Sequence, residues 1–275
     1  MVWRLVLSGH SDGYANMAAD EAIMGVVGAE IAPPTLRLYG WRPAAVSLGY
    51  FQELDDGIDL QEIHRRGWGL VRRPTGGRAI LHDDEVTYSV CVPEELLDHG
   101  DSVIKSYREL SRGIEAGLQL LGAQARLGEQ SRNDKAVAAE LPTICFAQTA
   151  RVDMTVDGRK IVGSAQVRRG GVILQHGSIP LTLNLDDHLA VMPPTGDGKA
   201  EGAELDEAAI AVADALGRAV SFEEVSEALI VGFSQALDIE LRPASLTVEE
   251  QQMMARLRAE KYATDEWNYT RPSRR

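Results

Sequence analysis

The sequence predicts an α+β or mixed α/β fold on three observations. Strand patterns crowd the first two thirds, the last third turns helical, and the two kinds do not alternate regularly. Regular alternation would indicate a doubly wound sheet or a (β/α)8 barrel, whereas segregated runs indicate separate layers. The 275 residues allow one large domain or two smaller ones, with a sizeable core either way. The expected division is a main domain over 1–245, with a C-terminal helix and tail over 246–275 packed on it.

Taken in order, residues 3–7, 35–39 and 45–50 are short, β-branched or aromatic, and bounded by Gly and Pro. Ser8-Gly9-His10-Ser11-Asp12 after the first of them reads as a turn. Between the first two strands, Met17, Ala18, Ala22, Ile23, Val26 and Val27 fall at helical spacing, predicting a helix over 14–27. A short helix is expected over 60–66. Residues 69–73, 78–81 and 86–92 read as strands around a glycine turn. Val103, Tyr107, Leu110, Ile114, Leu118 and Leu121 make one stripe, predicting a helix over 102–121 that Gly122 ends. Residues 128–142 are polar and read as a loop. The alternation over 151–156, the hairpin dipeptide Asp157-Gly158, a strand over 160–167, the turn Arg169-Gly170-Gly171 and a return over 172–183 make a meander. Helices are expected over 207–216, 222–237 and 247–262. Ser221 followed by Glu224 gives the second a capping-box pattern.

Composition narrows the function. Apolar residues make up 44%, as in a globular protein. No apolar stretch reaches membrane-spanning length. Two cysteines provide no disulfide framework, so a reducing cytoplasm is the expected setting. The net charge of −13 argues against a nucleic-acid binder, which needs a basic surface to neutralise phosphates. Arg65-Arg66, Arg72-Arg73 with Arg78, and Arg168-Arg169 could still form a local basic patch, or stand as solvated arginines on separate faces.

Three constellations carry candidate chemistry. Arg72-Arg73-Pro74-Thr75-Gly76-Gly77-Arg78-Ala79-Ile80-Leu81-His82 contains adjacent glycines that let backbone approach a ligand and present N–H groups. It lacks the spacing of a Walker loop or a dinucleotide fingerprint, and Gly76-Gly77 alone also suits a plain hairpin turn. His82 can be a catalyst or a hydrogen-bonded structural histidine. Metal ligation by His82, Asp83, Asp84 and Glu85 is set aside, since consecutive strand residues point to alternate sides. The second constellation pairs Cys145, in a polar loop, with Lys160 after the Asp157-Gly158 turn. An ammonium near a thiol favours the nucleophilic thiolate. The bland reading is an inert cysteine and a surface lysine. Third, Gly163-Ser164-Ala165-Gln166 and Gln175-His176-Gly177-Ser178 place small residues on adjacent strands. Such residues leave room for a linear acyl chain, or serve tight helix-on-sheet packing.

Together these segments, with Asn16-Met17-Ala18-Ala19-Asp20-Glu21-Ala22 upstream and Lys261-Tyr262-Ala263-Thr264-Asp265-Glu266-Trp267-Asn268 downstream, resemble the lipoate-protein ligase A and octanoyltransferase superfamily. The resemblance spans nearly the whole chain and implies the biotin/lipoate protein ligase catalytic-domain fold, an α+β mixed sheet flanked by helices, with 1–245 as the acyltransferase catalytic domain. Ligases of that superfamily carry a triple glycine where this chain has Gly76-Gly77-Arg78. Asp84-Glu85-Val86-Thr87-Tyr88-Ser89-Val90 and Ile144-Cys145-Phe146 resemble the cysteine-dependent octanoyltransferases. That branch implies Cys145 as acyl-thioester carrier, Lys160 as the group that lowers its pKa, and no cofactor or metal. It also implies a substrate site formed by Arg73, Gly76, Gly77, Arg78, His82, Gly163, Ser164, Ala165 and His176.

The implied reaction is ping-pong transfer of octanoyl from octanoyl-acyl carrier protein to a lysine of a lipoyl-domain protein, the glycine-cleavage H protein, by a cytoplasmic monomer. Two alternatives stay within the superfamily: an amidotransferase drawing octanoyl from the H protein, and an ATP-dependent lipoate ligase. A non-catalytic acyl-binding protein is the alternative outside it.

Overall fold

A computed structural model describes residues 1–54, 57–128, 153–193 and 208–270. Cys145 and almost all of the loop read over 128–142 lie outside the described residues. Strands β1 (Val2–Ser11), β2 (Thr35–Trp41), β6 (Glu85–Pro93), β7 (Arg126–Leu127), β8 (Met154–Val156), β9 (Arg159–Arg169), β10 (Val172–Pro180) and β11 (Glu240–Pro243) form one sheet. Its order is β11-β1-β2-β6-β10-β9-β8-β7, parallel at β11-β1-β2 and antiparallel beyond. Strands β3 (Ala45–Leu48), β4 (Gly69–Arg72) and β5 (Ile80–His82) form a second sheet in the order β4-β3-β5. The predicted mixed sheet flanked by helices is the observed fold.

One face of the large sheet carries the main core. Leu36, Leu38, Val86, Tyr88, Val90 and Ile173 meet Leu110, Ile114 and Leu118 of α3 (Val103–Leu120) and Val225, Leu229 and Phe233 of α6 (Phe222–Leu237). These helices cross closely because Gly113 and Gly117 of α3 meet α6 at Gly232 and Phe233, where a Cβ on Gly117 or Gly232 would collide with opposing backbone and one on Gly113 with the Phe233 ring. The predicted α3 stripe holds from Leu110 onward, but Val103 is exposed because the first turn overhangs the core.

The other face carries α1 (Gly13–Gly28), capped by the Asp12 side chain. α1 is apolar around most of its circumference, as a helix buried on two sides requires. It lies between the sheet and α7 (Val248–Leu257), whose N-terminus has a full capping box at Thr247 and Glu250. Buried Glu250 also pairs with Arg4 of β1. The chain then makes a π-helical turn, Arg258–Tyr262, and a last helix α8 (Asp265–Tyr269).

Several expected boundaries move for identifiable reasons. β1 runs through the expected turn at 8–12 by a bulge between Leu7 and His10, with Gly9 at φ 62°. The strand expected over 45–50 stops at Leu48, because Gly49 packs against the backbone of Gly77. Residues 69–73 and 78–81 are not a glycine hairpin. β4 and β5 both pair with β3 and never with each other, so Gly76-Gly77 lies on a crossover. Within the helix expected over 207–216, Ala209 instead bridges to Lys160, and α5 (Val212–Leu216) follows it. Strand 172–183 ends at Pro180, and α4 (Leu185–Val191) follows. Ser221 caps α6, but Glu224 turns its carboxylate to Arg218 rather than completing the box. No helix among the described residues is long and apolar enough to cross a membrane.

Candidate active site

Between the two sheets lies a cleft of about 410 Å³, partly open to solvent. Its walls include Met17 of α1, Trp41 of β2, Ser47 of β3, Arg73 and Gly77 of the crossover, and Ile80 and His82 of β5. Its floor is Gly163, Ser164 and Ala165 of β9 facing His176, Gly177 and Ser178 of β10. The two small-residue motifs are register partners, Gly163↔Ser178, Ser164↔Gly177 and Ala165↔His176. Antiparallel partners share a face, so Gly163, Ala165, His176 and Ser178 point together into the cleft.

Two carboxylate–imidazole pairs support the walls. His176 Nδ1 lies 3.0 Å from Asp20 Oδ2, and its Nε2 lies 2.7 Å from Thr75 Oγ1. Asp20 also takes hydrogen bonds from Arg37 Nη1 (2.7 Å) and Tyr39 Oη (2.9 Å). Burial pushes the Asp20 carboxyl up, but Arg37 and His176 outweigh it and hold the group below the usual carboxylate range. Burial likewise lowers His176 despite Asp20 beside it, so this imidazole is neutral near pH 7. Neutral His176 therefore donates from Nδ1 to Asp20 and accepts at Nε2 from the Thr75 hydroxyl, which ties β10 to the glycine crossover.

The second pair is His82 and Glu85, with Nδ1 to Oε1 at 2.9 Å. Thr87 and Ser178 hydroxyls also donate to Glu85. Burial opposes ionisation of Glu85, yet His82 and these hydroxyls hold its carboxyl below the ordinary value. His82 and Glu85 meet because Asp83-Asp84 is a bend between β5 and β6, not the continuous strand assumed above. Trp41 stacks on the His82 ring at 4.0 Å and donates Nε1–H to Thr87 at 2.7 Å.

Arg72 and Arg73 are buried and do not belong to a surface patch. Arg73 donates to the carbonyls of Ser47, Gly76 and Arg78 at 3.0, 2.9 and 2.7 Å, shaping the Gly76–Arg78 loop from within. Arg72 donates to the carbonyls of Gly49, Gln52, Trp267 and Asn268, linking the crossover to α8. Arg65 and Arg66 pair with Glu62, Arg66 also with Asp187, and Arg169 with Glu21. Arg168 lies 3.6 Å from Glu94, so apart from half-buried Arg78 the arginines of these clusters are partnered with carboxylates or buried.

Lys160 is 4% exposed, unlike the surface lysine of the bland reading, and its Nζ lies 3.1 Å from Asp153 Oδ2. Asp157 (φ 51°) and Gly158 (φ 80°) make the expected tight turn just before it. Strict alternation from Val162 would aim Lys160 into the core. However, Met154 pairs with Val162 while Thr155 pairs with Lys160, so Ile161 is an extra residue in β9. Met154, Val156, Ile161 and Val162 all join the core, which leaves Thr155 and Lys160 on the opposite face, with Gly163. Cys91 is fully buried in β6, its thiol directed to the Asp20 carbonyl and pushed well up by burial, so it is no candidate nucleophile.

Sequence reasoning missed Asp20, Thr75 and Ser178 as support for the site, and Glu85 as the partner of His82. Asp20 carried one signal, a carboxylate on the buried stripe of α1, which demands a partner. The partners themselves come from strands far along the chain.

The sequence matches the family described as Lipoyl protein ligase A/B catalytic domain over residues 12–234. The Octanoyltransferase LipM of Kyrpidia tusciae is 44% identical, with 97% of this chain and 98% of that protein covered. The Octanoyltransferase LipM of Bacillus subtilis is 38% identical over 98% of each. Among solved structures, a bipartite lipoate protein ligase from Thermoplasma acidophilum, determined with its E2 lipoyl domain, superposes with a TM-score of 0.82. It is 28% identical, covering 100% of this chain and 99% of that one. A lipoate-protein ligase A bound with ATP gives 0.81 at 29% identity, covering 99% of this chain and 100% of that one.

Proposed function

The chain belongs to the lipoyl protein ligase A/B catalytic domain family and is an acyltransferase that moves octanoyl groups to lipoyl-domain proteins, and we propose that it does so through Cys145. The observation that supports this route most is Lys160. A bulge turns its buried ammonium to the face of the sheet that bears the cleft.

In the first half-reaction the Cys145 thiolate attacks the thioester carbonyl of octanoyl-acyl carrier protein. A new C–S bond forms, the old one breaks, and the carrier's thiol leaves as thiolate and takes a proton from solvent. One thioester replaces another, so no ATP is required. Lys160 stabilises the Cys145 thiolate. The acyl chain lies against Met17, Ile80, Gly163 and Ala165, and backbone N–H groups at Gly76-Gly77 hold the oxyanion. In the second half, the neutral amine of the acceptor lysine attacks. A C–N bond forms, the enzyme C–S bond breaks, and the amine's surplus proton passes to the departing sulfur or to solvent. The acceptor of this reading is the glycine-cleavage H protein.

Mixing the protein with octanoyl-acyl carrier protein without ATP and taking its intact mass tests the route. We expect a gain of one octanoyl group that Cys145→Ala lacks. No adduct, with turnover only when ATP is added, would establish a ligase instead. An adduct formed only from octanoyl-H protein would assign the amidotransferase reaction.

A further inference from the structure

Behind the wall made by Glu85 and Ser178 lies a second cavity of about 380 Å³, partly open to solvent. Asp83, Asp84, Asn184, Asp187 and His188 line it. His188 is 5% exposed, and its Nδ1 lies 3.0 Å from the carbonyl oxygen of Asn184 in its own helix. A carbonyl only accepts, so Nδ1 carries the proton. Burial holds this imidazole below its ordinary value, against the bond to Asn184 and the charges of Glu85 and Asp187, and His82 adds to the lowering. The ring is therefore neutral near pH 7 and its Nε2 is a lone pair. Among the described residues that buried atom has no hydrogen-bond partner, an arrangement costly to leave unmet.

The remaining lining is rich in acceptors. Asp84 takes the Thr182 hydroxyl at 2.7 Å, and Asp187 takes Arg66 and the Asn184 amide. The Asp83 carboxyl is pushed up, first by burial and then by Asp84, Asp187 and Glu85 crowded beside it. A ligand here must bring positive charge and donors. A metal ion needs several ligating side chains to converge, and no group of three does so among the described residues. A primary alkylammonium fits better, since it is slender, carries one charge and offers three donors with no acceptor.

We propose that this cavity is an alkylammonium subsite that receives the ε-ammonium of the acceptor lysine, with His188 Nε2 accepting a hydrogen bond from it. The inference rests on the acyl-transfer reading of the adjoining cleft. One N–H of the ammonium meets the Nε2 lone pair while its charge lies beside Asp83, Asp84 and Asp187. The proton that must leave before the amine attacks passes to solvent.

The test uses the full-length protein with ¹⁵N-labelled histidine and n-butylammonium as the probe. Titration is expected to shift the His188 Nε2 resonance in the wild type. The double variant Asp83→Asn/Asp84→Asn, altered only at exposed side chains, is expected to bind the probe about fivefold more weakly. In single turnover from the octanoyl-enzyme, His188→Leu is expected to slow discharge to a lipoyl domain at least about tenfold. Discharge to hydroxylamine, a neutral nucleophile at pH 7.5, should change far less. No shift at His188 with saturating probe, equal binding by the double variant, or equal slowing with both nucleophiles would overturn the proposal. Loading of Cys145 is scored separately by intact mass, so a failure of the acyl-transfer reading shows as a missing adduct whatever the amine titration gives.

Discussion

Lys160 shows how one extra residue in a strand decides where a charge ends up. Without Ile161 as a bulge, the ammonium would face Val156 and Met154 in the core. With it, the charge meets Asp153 in a buried pair on the cleft side. Removing one member of such a pair costs about 3–5 kcal/mol, whereas replacing both by apolar groups is often neutral. Lys160→Met should therefore lower stability in urea by about 3 kcal/mol and abolish the ATP-independent octanoyl adduct. Lys160→Met/Asp153→Leu should regain most of the stability and none of the adduct. If the double variant acylates at the wild-type rate, Lys160 is structural only. His176 gives a second prediction at this scale. Its folded-state pKa lies below the ordinary 6.5, so between the two values the unfolded chain binds more protons. Stability from this group is present above pH 6.5 and is lost as pH falls through the folded value. Urea midpoints measured from pH 7.5 down to 5 should decline in the wild type and decline less in His176→Gln. An equal slope in both would remove His176 as the cause.

At the scale of elements, what was legible in the sequence was whatever depends on near neighbours. Asp157-Gly158 forced its turn, the stripe Leu110-Ile114-Leu118 gave α3 its buried face, and the paired small motifs fell into register because one tight turn, Gly170-Gly171, joins their strands. What was not legible depends on partners far along the chain. The crossover at Gly76-Gly77 looked like a hairpin because nothing local reveals that β3 slots between β4 and β5. The Asp20–His176 contact spans 156 positions, and the pairing of Arg72 with Trp267 spans 195. The Ile161 bulge has no local signature at all. The crossover yields its own prediction. A Cβ on Gly49 would fall on the Gly77 carbonyl, which is backbone and cannot swing aside. Gly49→Ala should push the Gly76–Arg78 loop out of place and lower kcat/KM for acyl-enzyme formation at least about tenfold, with a stability loss of about 1–3 kcal/mol. Gly76→Ala meets no atom within 4 Å and should be far milder in the same stopped-flow assay.

For the whole molecule, the question is how a protein with a net charge of −13 meets protein substrates. The sequence offered arginine clusters that could form a local basic patch or stand as solvated arginines on separate faces. In the folded chain Arg72 and Arg73 are interior, and Arg65, Arg66 and Arg169 stand within reach of carboxylates that cancel their field. The long-range potential is then set by the acidic excess, and it repels an acidic carrier protein rather than steering it in. Repulsion between exposed charges is screened over about 10 Å at 0.1 M salt. Raising salt from about 0.05 to 0.3 M should therefore leave kcat/KM for an acidic octanoyl-carrier donor unchanged or raise it up to about threefold. A small uncharged octanoyl thioester, which feels no such field, should show no change. A fall in the carrier rate with salt, absent for the small thioester, would restore an attractive patch. Charge reversal at Arg78, the one arginine of the crossover that is not buried, would then be the first place to look for it.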